Sequence, residues 1–365
     1  MKNSELYFIS FKTLISDDLS EIEEEVRTII IRNEKNLLRF IHLNSNHLVL
    51  PAIYRRLKEI GLTDQLAKDL NDHLNKIYTL NIKRNKKILQ QIEEINQMFH
   101  KAKIKPVYLK GAANLMDNLY CNIADRMMGD IDILVKDEDF LVSAELLFKL
   151  GYKNELKIYD GIDTLKDYPR MYRDDVPADI ELHRLPVIPK YAKEFSSKSI
   201  FRKKKQISSK TNCFVPSDKH KIIHNFIHGQ LTNKGHAIKL VPLRDLYDSY
   251  LLLKRVNIND VLSEIKEQKK ATIYFDFISE LINLKISTLG YSKKGKNFLI
   301  KQNWYLNHPR IHFMLINAYK LIYLINDRFL KAFVDKSTLK NIYVRIIDKE
   351  WWQKRLSRGL KEYFN

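Results

Sequence analysis

Asp130 and Asp132 stand one residue apart in an otherwise apolar run, RMMGDIDILV, residues 126–135. An extended chain sends residues two apart to the same side, about 6.5–7 Å from each other. Both carboxylates therefore share one face, and Ile131, Ile133 and Val135 take the other. Neighbouring carboxylates repel, and each is costly to strip of water. A cation held between them offsets both costs. Hard oxygen donors on a rigid strand suit Mg²⁺, which also takes ligands from a substrate phosphate. Two ions about 3.5–4 Å apart could share such a pair across an in-line phosphoryl displacement. The bland alternative is an edge strand with solvated aspartates.

Three neighbouring features favour the metal. In YLKGAAN, a short strand ends at Gly111 and a helix begins, which puts backbone N–H groups where a phosphate can sit. Gly111 would permit close approach and Lys110 would supply a charge, although an ordinary strand-to-helix turn reads the same way. Arg126, four residues before Asp130, either meets a phosphate or neutralises the acids, and both readings stay open. In ADIELHRL, alternation places Asp179, Glu181 and His183 on one face, with Ile180, Leu182 and Arg184 on the other. Glu181 or Asp179 could bring a third carboxylate to the first pair. His183 shares that face and could orient a carboxylate or an acceptor. Further on, His220, His224 and His228 recur every four residues and so share one helix face. No cysteine or acid at a matching position completes a zinc set around them. Their expected place is the groove between the acidic core and the helices that follow, a polar seam where His228 and Asp245 could meet substrate.

Positioning these groups needs a strand–helix–strand frame. Residues 1–100 read as helices, with apolar positions three and four apart in EIEEEVRTIIIRNEKNLLRFIHL and RNKKILQQIEEINQMFHKAKI. Residues 101–216 change character. KPVYLKG and DIDILV read as strands, AANLMDNLY as a helix, and DEDFLVSAELLFKLGY as a helix opened by acids and closed at Gly151. Residues 217–365 return to helical spacing, with Ser217 as the N-cap of SDKHKIIHNFIHGQL. FMLINAYKLIYLIN, interrupted by Lys320, reads as a buried helix, and the basic, aromatic tail DKEWWQKRLSRGLKEYFN as a docked terminal helix. FRKKKQ reads as a solvated turn before a strand. The expected layout is thus an N-terminal helical region (1–100), an α/β core (101–216) and a C-terminal helical domain (217–365).

The totals bound the function. With 45% hydrophobic and 29% charged residues among 365, the chain can bury a substantial core and is not disordered in composition. It carries no run of about 18 apolar residues, so stable membrane insertion is not expected. The first residues lack the pattern of a secretion signal, and the two cysteines, Cys121 and Cys213, fit a reduced, cytoplasmic protein. The net charge of +19 suits a polyanionic partner such as nucleotide, tRNA or an anionic membrane surface, or simply a Lys-, Asn- and Ile-rich composition.

YLKGAANL, RMMGDIDILV, LGY and IELHRL together resemble the nucleotidyltransferase superfamily that shares the DNA polymerase β-type core, and more narrowly an uncharacterised bacterial nucleotidyltransferase family. FVPSDKHKIIHNFIHG and LVPLRDLYDSYLLLKR resemble that family's helical half, so the similarity runs over roughly residues 85–255. The resemblance implies an α+β fold, a small mixed-sheet nucleotidyltransferase core flanked by N- and C-terminal helical regions. It also implies Mg²⁺-dependent (or Mn²⁺-dependent) transfer of a nucleoside monophosphate from an NTP to an acceptor, with release of pyrophosphate. By the same likeness Asp130, Asp132 and Glu181 would be catalytic and hold the metals, while Lys110, Gly111 and Arg126 would hold the triphosphate. The acceptor stays open between an RNA such as tRNA, a protein side chain and a small molecule. Two departures bear on this. The superfamily prefers Gly-Ser or Gly-Gly at the turn, and this chain has Gly111-Ala112, without the serine hydroxyl that would contact phosphate. Asp179 faces the same way as Glu181. A catalytically degenerate nucleotide-binding or regulatory protein of the same fold is the alternative.

Overall fold

The structure is a computed structural model that describes residues 1–18, 20–154, 166–208, 213–282 and 293–334. Four helices come first: α1 (Asn3–Ile15), α2 (Ser20–Arg32), α3 (Glu34–Asn46) and α4 (Leu50–Glu59). The helical run expected through EIEEEVRTIIIRNEKNLLRF breaks at Asn33, whose side chain accepts from the Asn36 N–H and caps α3. The next helix, α5 (Lys68–Lys101), is 34 residues long. Its buried positions Ile88, Ile92, Ile95 and Phe99 recur three or four apart and form one stripe.

That stripe lies against a five-stranded sheet of order β3-β2-β1-β5-β4: β1 (Val107–Tyr108), β2 (Asp130–Leu134), β3 (Asp179–His183), β4 (Lys205–Ser208) and β5 (Cys213–Val215). β1 runs antiparallel to β2 and parallel to β5, β2 parallel to β3, and β4 antiparallel to β5. The sheet is mixed and helices flank it, the expected α+β class. One face, with Tyr108, Ile131, Ile133, Ile180 and Leu182, shares a core with α5 and with α7 (Phe140–Lys149). α7 ends before Gly151, whose φ of +89° needs a residue without Cβ strain. Gln91 on α5 reaches the end of β3. Its Nε2 donates to the Ala178 carbonyl at 2.7 Å and its Oε1 accepts the Ala178 N–H at 3.3 Å, so the chain entering the edge strand keeps its backbone groups paired.

The sheet's other face is apolar at Val107, Leu109 and Leu134, which join a second core built with the N-terminal helices and the later ones. α6 (Lys110–Met116) follows β1 directly. α8 (Pro189–Ala192) and α9 (Ser197–Arg202) precede β4. After β5, Ser217 caps α10 (Asp218–Phe226) by accepting the His220 N–H, as its sequence position implies. A π-helical turn (Ile227–Thr232) and α11 (Gly235–Ile238) lead to α12 (Leu243–Leu253), α13 (Ile258–Glu264), α14 (Gln268–Ile282) and α15 (Lys293–Asn307). FRKKKQ spans the end of α9 and the start of β4.

Met1–Asn307 form one compact unit and His308–Asn365 another. In the second, α16 (Pro309–Val334) is helical through FMLINAYKLIYLIN, as its spacing implies. On its first turns Ile316 is buried, while Met314, Leu315, Leu321 and Ile322 are exposed. The DKEWWQKRLSRGLKEYFN tail lies outside the described residues. Among the described residues no helix is long and apolar enough to cross a membrane. Cys121 and Cys213 are both free thiols.

Candidate functional site

The parallel pairing of β2 with β3 sets Asp130 opposite Asp179, Asp132 opposite Glu181 and Leu134 opposite His183. A one-residue slip would turn the fully buried Ile131, Ile133, Ile180 and Leu182 to the other side, so the apolar face fixes the register of the acids. Sequence alternation therefore decides the face, and pairing decides which acids meet.

Asp132 sits at the centre and is 2% exposed. Lys110 Nζ lies 2.5 Å from its Oδ1, and His183 Nε2 lies 2.8 Å from the same oxygen. Burial opposes ionisation of Asp132, but the Lys110 ammonium and the His183 hydrogen bond outweigh it and hold the carboxyl far below the usual range. Burial pushes the Glu181 carboxyl up, and the Asp132 charge adds to it. Burial works against the charged form of His183. Hydrogen bonds to Asp132 and, through Nδ1, to Asp167 overcome this and raise the imidazole. Asp130 shares the face but turns its carboxylate to Arg170, at 2.7 Å. The same guanidinium lies 3.1 Å from Glu181 and 3.6 Å from Asp179.

A divalent ion fits this donor set. One ligand atom each from Asp132, Glu181 and His183 fall within 4.8 Å of one another, a spacing one ion can bridge. Two carboxylates suit Mg²⁺ or Mn²⁺, and the imidazole widens the choice among transition ions. An ion here competes with the Lys110 ammonium for Asp132. Asp130 and Asp179 stand at the margin, held by half-exposed Arg170. Arg170 was not legible in the sequence, because it reaches the acids from an irregular segment tied to β3 by an isolated bridge between Met171 and Ile180.

Backbone strain also marks the Gly111 turn. The left-handed backbone falls on Lys110, at φ +49°, rather than on the glycine. For a residue with a Cβ that conformation costs about 1 kcal/mol or more, a strain of the kind that collects at functional positions. The space Gly111 leaves is filled by Arg126. A Cβ there would meet the Arg126 guanidinium at 3.3–3.5 Å. Arg126 itself does not reach the acid pair. Asn81 and Asn85 on α5 bond its carbonyl at 3.2 and 2.8 Å, and its side chain turns to Asp248 on α12, 3.4 Å away. Asp248 also accepts from the Tyr120 hydroxyl at 2.7 Å.

Arg126 thereby enters a cleft with a cavity volume of about 50 Å³. Lys110, Asn114 and Arg126 form one wall. His224, His228 and Asp245 stand on the other, contributed by α10, the π turn and α12. Lys110 belongs to both the cleft and the acid face. His220, on the same helix face, points elsewhere: its Nε2 lies 3.2 Å from Ser199 and its ring packs on Phe195.

A family model described as an uncharacterised nucleotidyltransferase matches residues 33–279. That is more than half of the chain, and the chain belongs to this family. No curated protein matches it.

Proposed function

We propose that this nucleotidyltransferase-family member moves a nucleoside monophosphate from an NTP to an acceptor hydroxyl and releases pyrophosphate, with Mg²⁺ or Mn²⁺ as its ion. The observation that carries the reading is the β2–β3 register, which gathers Asp130, Asp132 and Glu181 on one sheet face beside Lys110 and at the mouth of a polar cleft. Asp132, Glu181 and His183 would hold the ion, with Asp130 completing the carboxylate set. When bound, such an ion lowers the pKa of a hydroxyl and neutralises charge on a transferring phosphate. His183, held between Asp132 and Asp167, fixes the Asp132 carboxylate in place. Lys110 and Arg126, beside the Gly111 turn, supply positive charge for the triphosphate.

One observation favours a second reading. The Lys110 ammonium already neutralises Asp132, as it would in a degenerate member that holds nucleotide without chemistry. A single experiment separates the two. The protein is incubated with Mg²⁺ and each α-labelled NTP in a lysate containing RNA, protein and metabolites, beside the Asp130→Asn/Asp132→Asn variant. Transfer by the wild type and not by the variant supports the enzyme. NTP binding that is metal-independent and equal in both proteins, without transfer, supports the degenerate reading and sinks the first.

A further inference from the structure

The acids of the β2–β3 face are already matched by cations of the chain itself. Arg170 Nη2 lies 2.7 Å from Asp130 Oδ2 and 3.1 Å from Glu181 Oε1, and Nη1 lies 3.6 Å from Asp179 Oδ2. Lys110 takes Asp132 at 2.5 Å and comes within 3.9 Å of Glu181. The Arg170 guanidinium thus bridges Asp130 and Glu181, two of the carboxylates proposed above to hold the ion. A divalent ion and a guanidinium on the same oxygens repel each other at close range, so the two compete for this place.

The backbone is shaped to put Arg170 there. The segment 166–172 pairs along the outer side of β3, with Asp167 opposite His183 and Met171 opposite Ile180. Three residues, 168–170, therefore stand across from two, 181 and 182, which is a β-bulge. Tyr168 donates its N–H to the Leu182 carbonyl at 2.8 Å, so Pro169 and Arg170 both fall opposite Glu181. The extra residue breaks the period of two. Tyr168 and Met171, three apart, both join the apolar core, while Asp167 and Arg170, also three apart, both meet groups of the acid face. Pro169 has no N–H to lose, which suits a bulge. Such bulges re-aim side chains and gather beside active sites. The Met171 N–H donates to the Ile180 carbonyl at 3.0 Å and the Ile180 N–H to the Met171 carbonyl at 2.7 Å, which pins the backbone next to Arg170. The side chain itself is half exposed, so the guanidinium can change partner by side-chain rotation alone.

We infer, on the nucleotidyl-transfer reading above, that Arg170 is an exchangeable counter-ion: it neutralises Asp130 and Glu181 until a divalent ion enters, and then turns to the triphosphate. Its planar fork matches phosphate oxygens as well as carboxylates. Ion entry releases the guanidinium from the acids, and the triphosphate that arrives with the ion takes it up. The ion alone therefore binds against Arg170, and the ion with triphosphate binds with its help, which couples the two ligands.

The test uses the full chain and two binding measurements that need no turnover. Mn²⁺ binding to the protein alone is read from the electron paramagnetic resonance signal of the free ion. Binding of radiolabelled tripolyphosphate, the part that every NTP shares, is read by equilibrium dialysis at saturating Mn²⁺. In Arg170→Gln the Mn²⁺ Kd should fall about fivefold, which is about 1 kcal/mol and the size expected of half-exposed ion pairs. The tripolyphosphate Kd should rise about tenfold in the same variant, the loss of one charge-assisted hydrogen bond. Arg170→Lys keeps the charge, and its Mn²⁺ Kd should stay within about twofold of wild type. General damage to the fold weakens both ligands and cannot give shifts of opposite sign. Unchanged or weaker Mn²⁺ binding in Arg170→Gln, or tripolyphosphate binding equal to wild type, overturns the inference and leaves nucleotidyl transfer intact. Mn²⁺ binding as tight in Asp132→Asn as in wild type takes the ion away from these acids, and sinks both the inference and the reading it rests on.

Discussion

Asp117→Asn should loosen the cleft at its base. Asp117 caps the end of α6 and is almost fully buried. It pairs with Lys221 of α10, Lys205 of β4 and Arg255 after α12, so one carboxylate joins the cleft's two walls. Removing one partner of a buried pair costs about 3–5 kcal/mol. Lys205 and Arg255 reach water and can reorient, and Lys221 keeps Asp218 at 3.2 Å. Those two facts reduce the expected loss to about 2–3 kcal/mol at neutral pH. In urea that lowers the midpoint by about 0.5–1 M. Lys221→Met added to Asp117→Asn should recover part of the loss, because the stranded ammonium goes with it. Burial alone would raise the Asp117 carboxyl, but hydrogen bonds from Lys205 and Lys221 more than offset this and lower it. A carboxyl lowered in the fold contributes stability above its unfolded pKa of about 3.9 and loses it as pH falls below that value. The gap between wild type and Asp117→Asn should therefore shrink from pH 7 to pH 3. A loss under about 0.5 kcal/mol at pH 7, or a gap that does not change with pH, would refute the reasoning.

Burial holds His47, whose Nδ1 accepts the Leu243 N–H at 3.1 Å, down to about 4. The unfolded chain takes up its proton near pH 6.5 and the fold does not, so stability falls as pH drops from about 6.5 to 4, by about 2 kcal/mol at pH 5 for this group. His47→Gln should flatten the pH dependence of the urea midpoint over that window, and an unchanged slope would count against it. Gly111→Ala should leave the fold in place but displace the Arg126 guanidinium by a few tenths of an ångström, weakening NTP binding several-fold by calorimetry. Equal affinity in that variant would remove Arg126 from the triphosphate set.

Much of the site was legible locally. The alternation in DIDIL and DIELH assigns Asp130, Asp132, Glu181 and His183 to one face before any partner strand is known, because side chains in extended chain have period two. Ser217 announces α10 through the same kind of short-range chemistry, an oxygen within reach of a free N–H. The spacing of His220, His224 and His228 implied one helix face lining a seam; His224 and His228 line the cleft, and His220 turns to Ser199 instead.

What the sequence could not decide depends on pairing between distant segments. That β3 lies parallel beside β2, with Asp132 against Glu181, is set by pairing between residues 49 apart in the chain and by the apolar face they bury together. Arg170 arrives from a segment without periodicity. Arg126, close to the acids in sequence, is drawn away by Asp248 and by two asparagines of α5. Lys110 meets Asp132 only because β1 runs antiparallel to β2 and ends beside it. Local patterning chose which side chains face together; the tertiary structure chose their partners, since the energy of an ion pair depends on separations that only the packed fold defines.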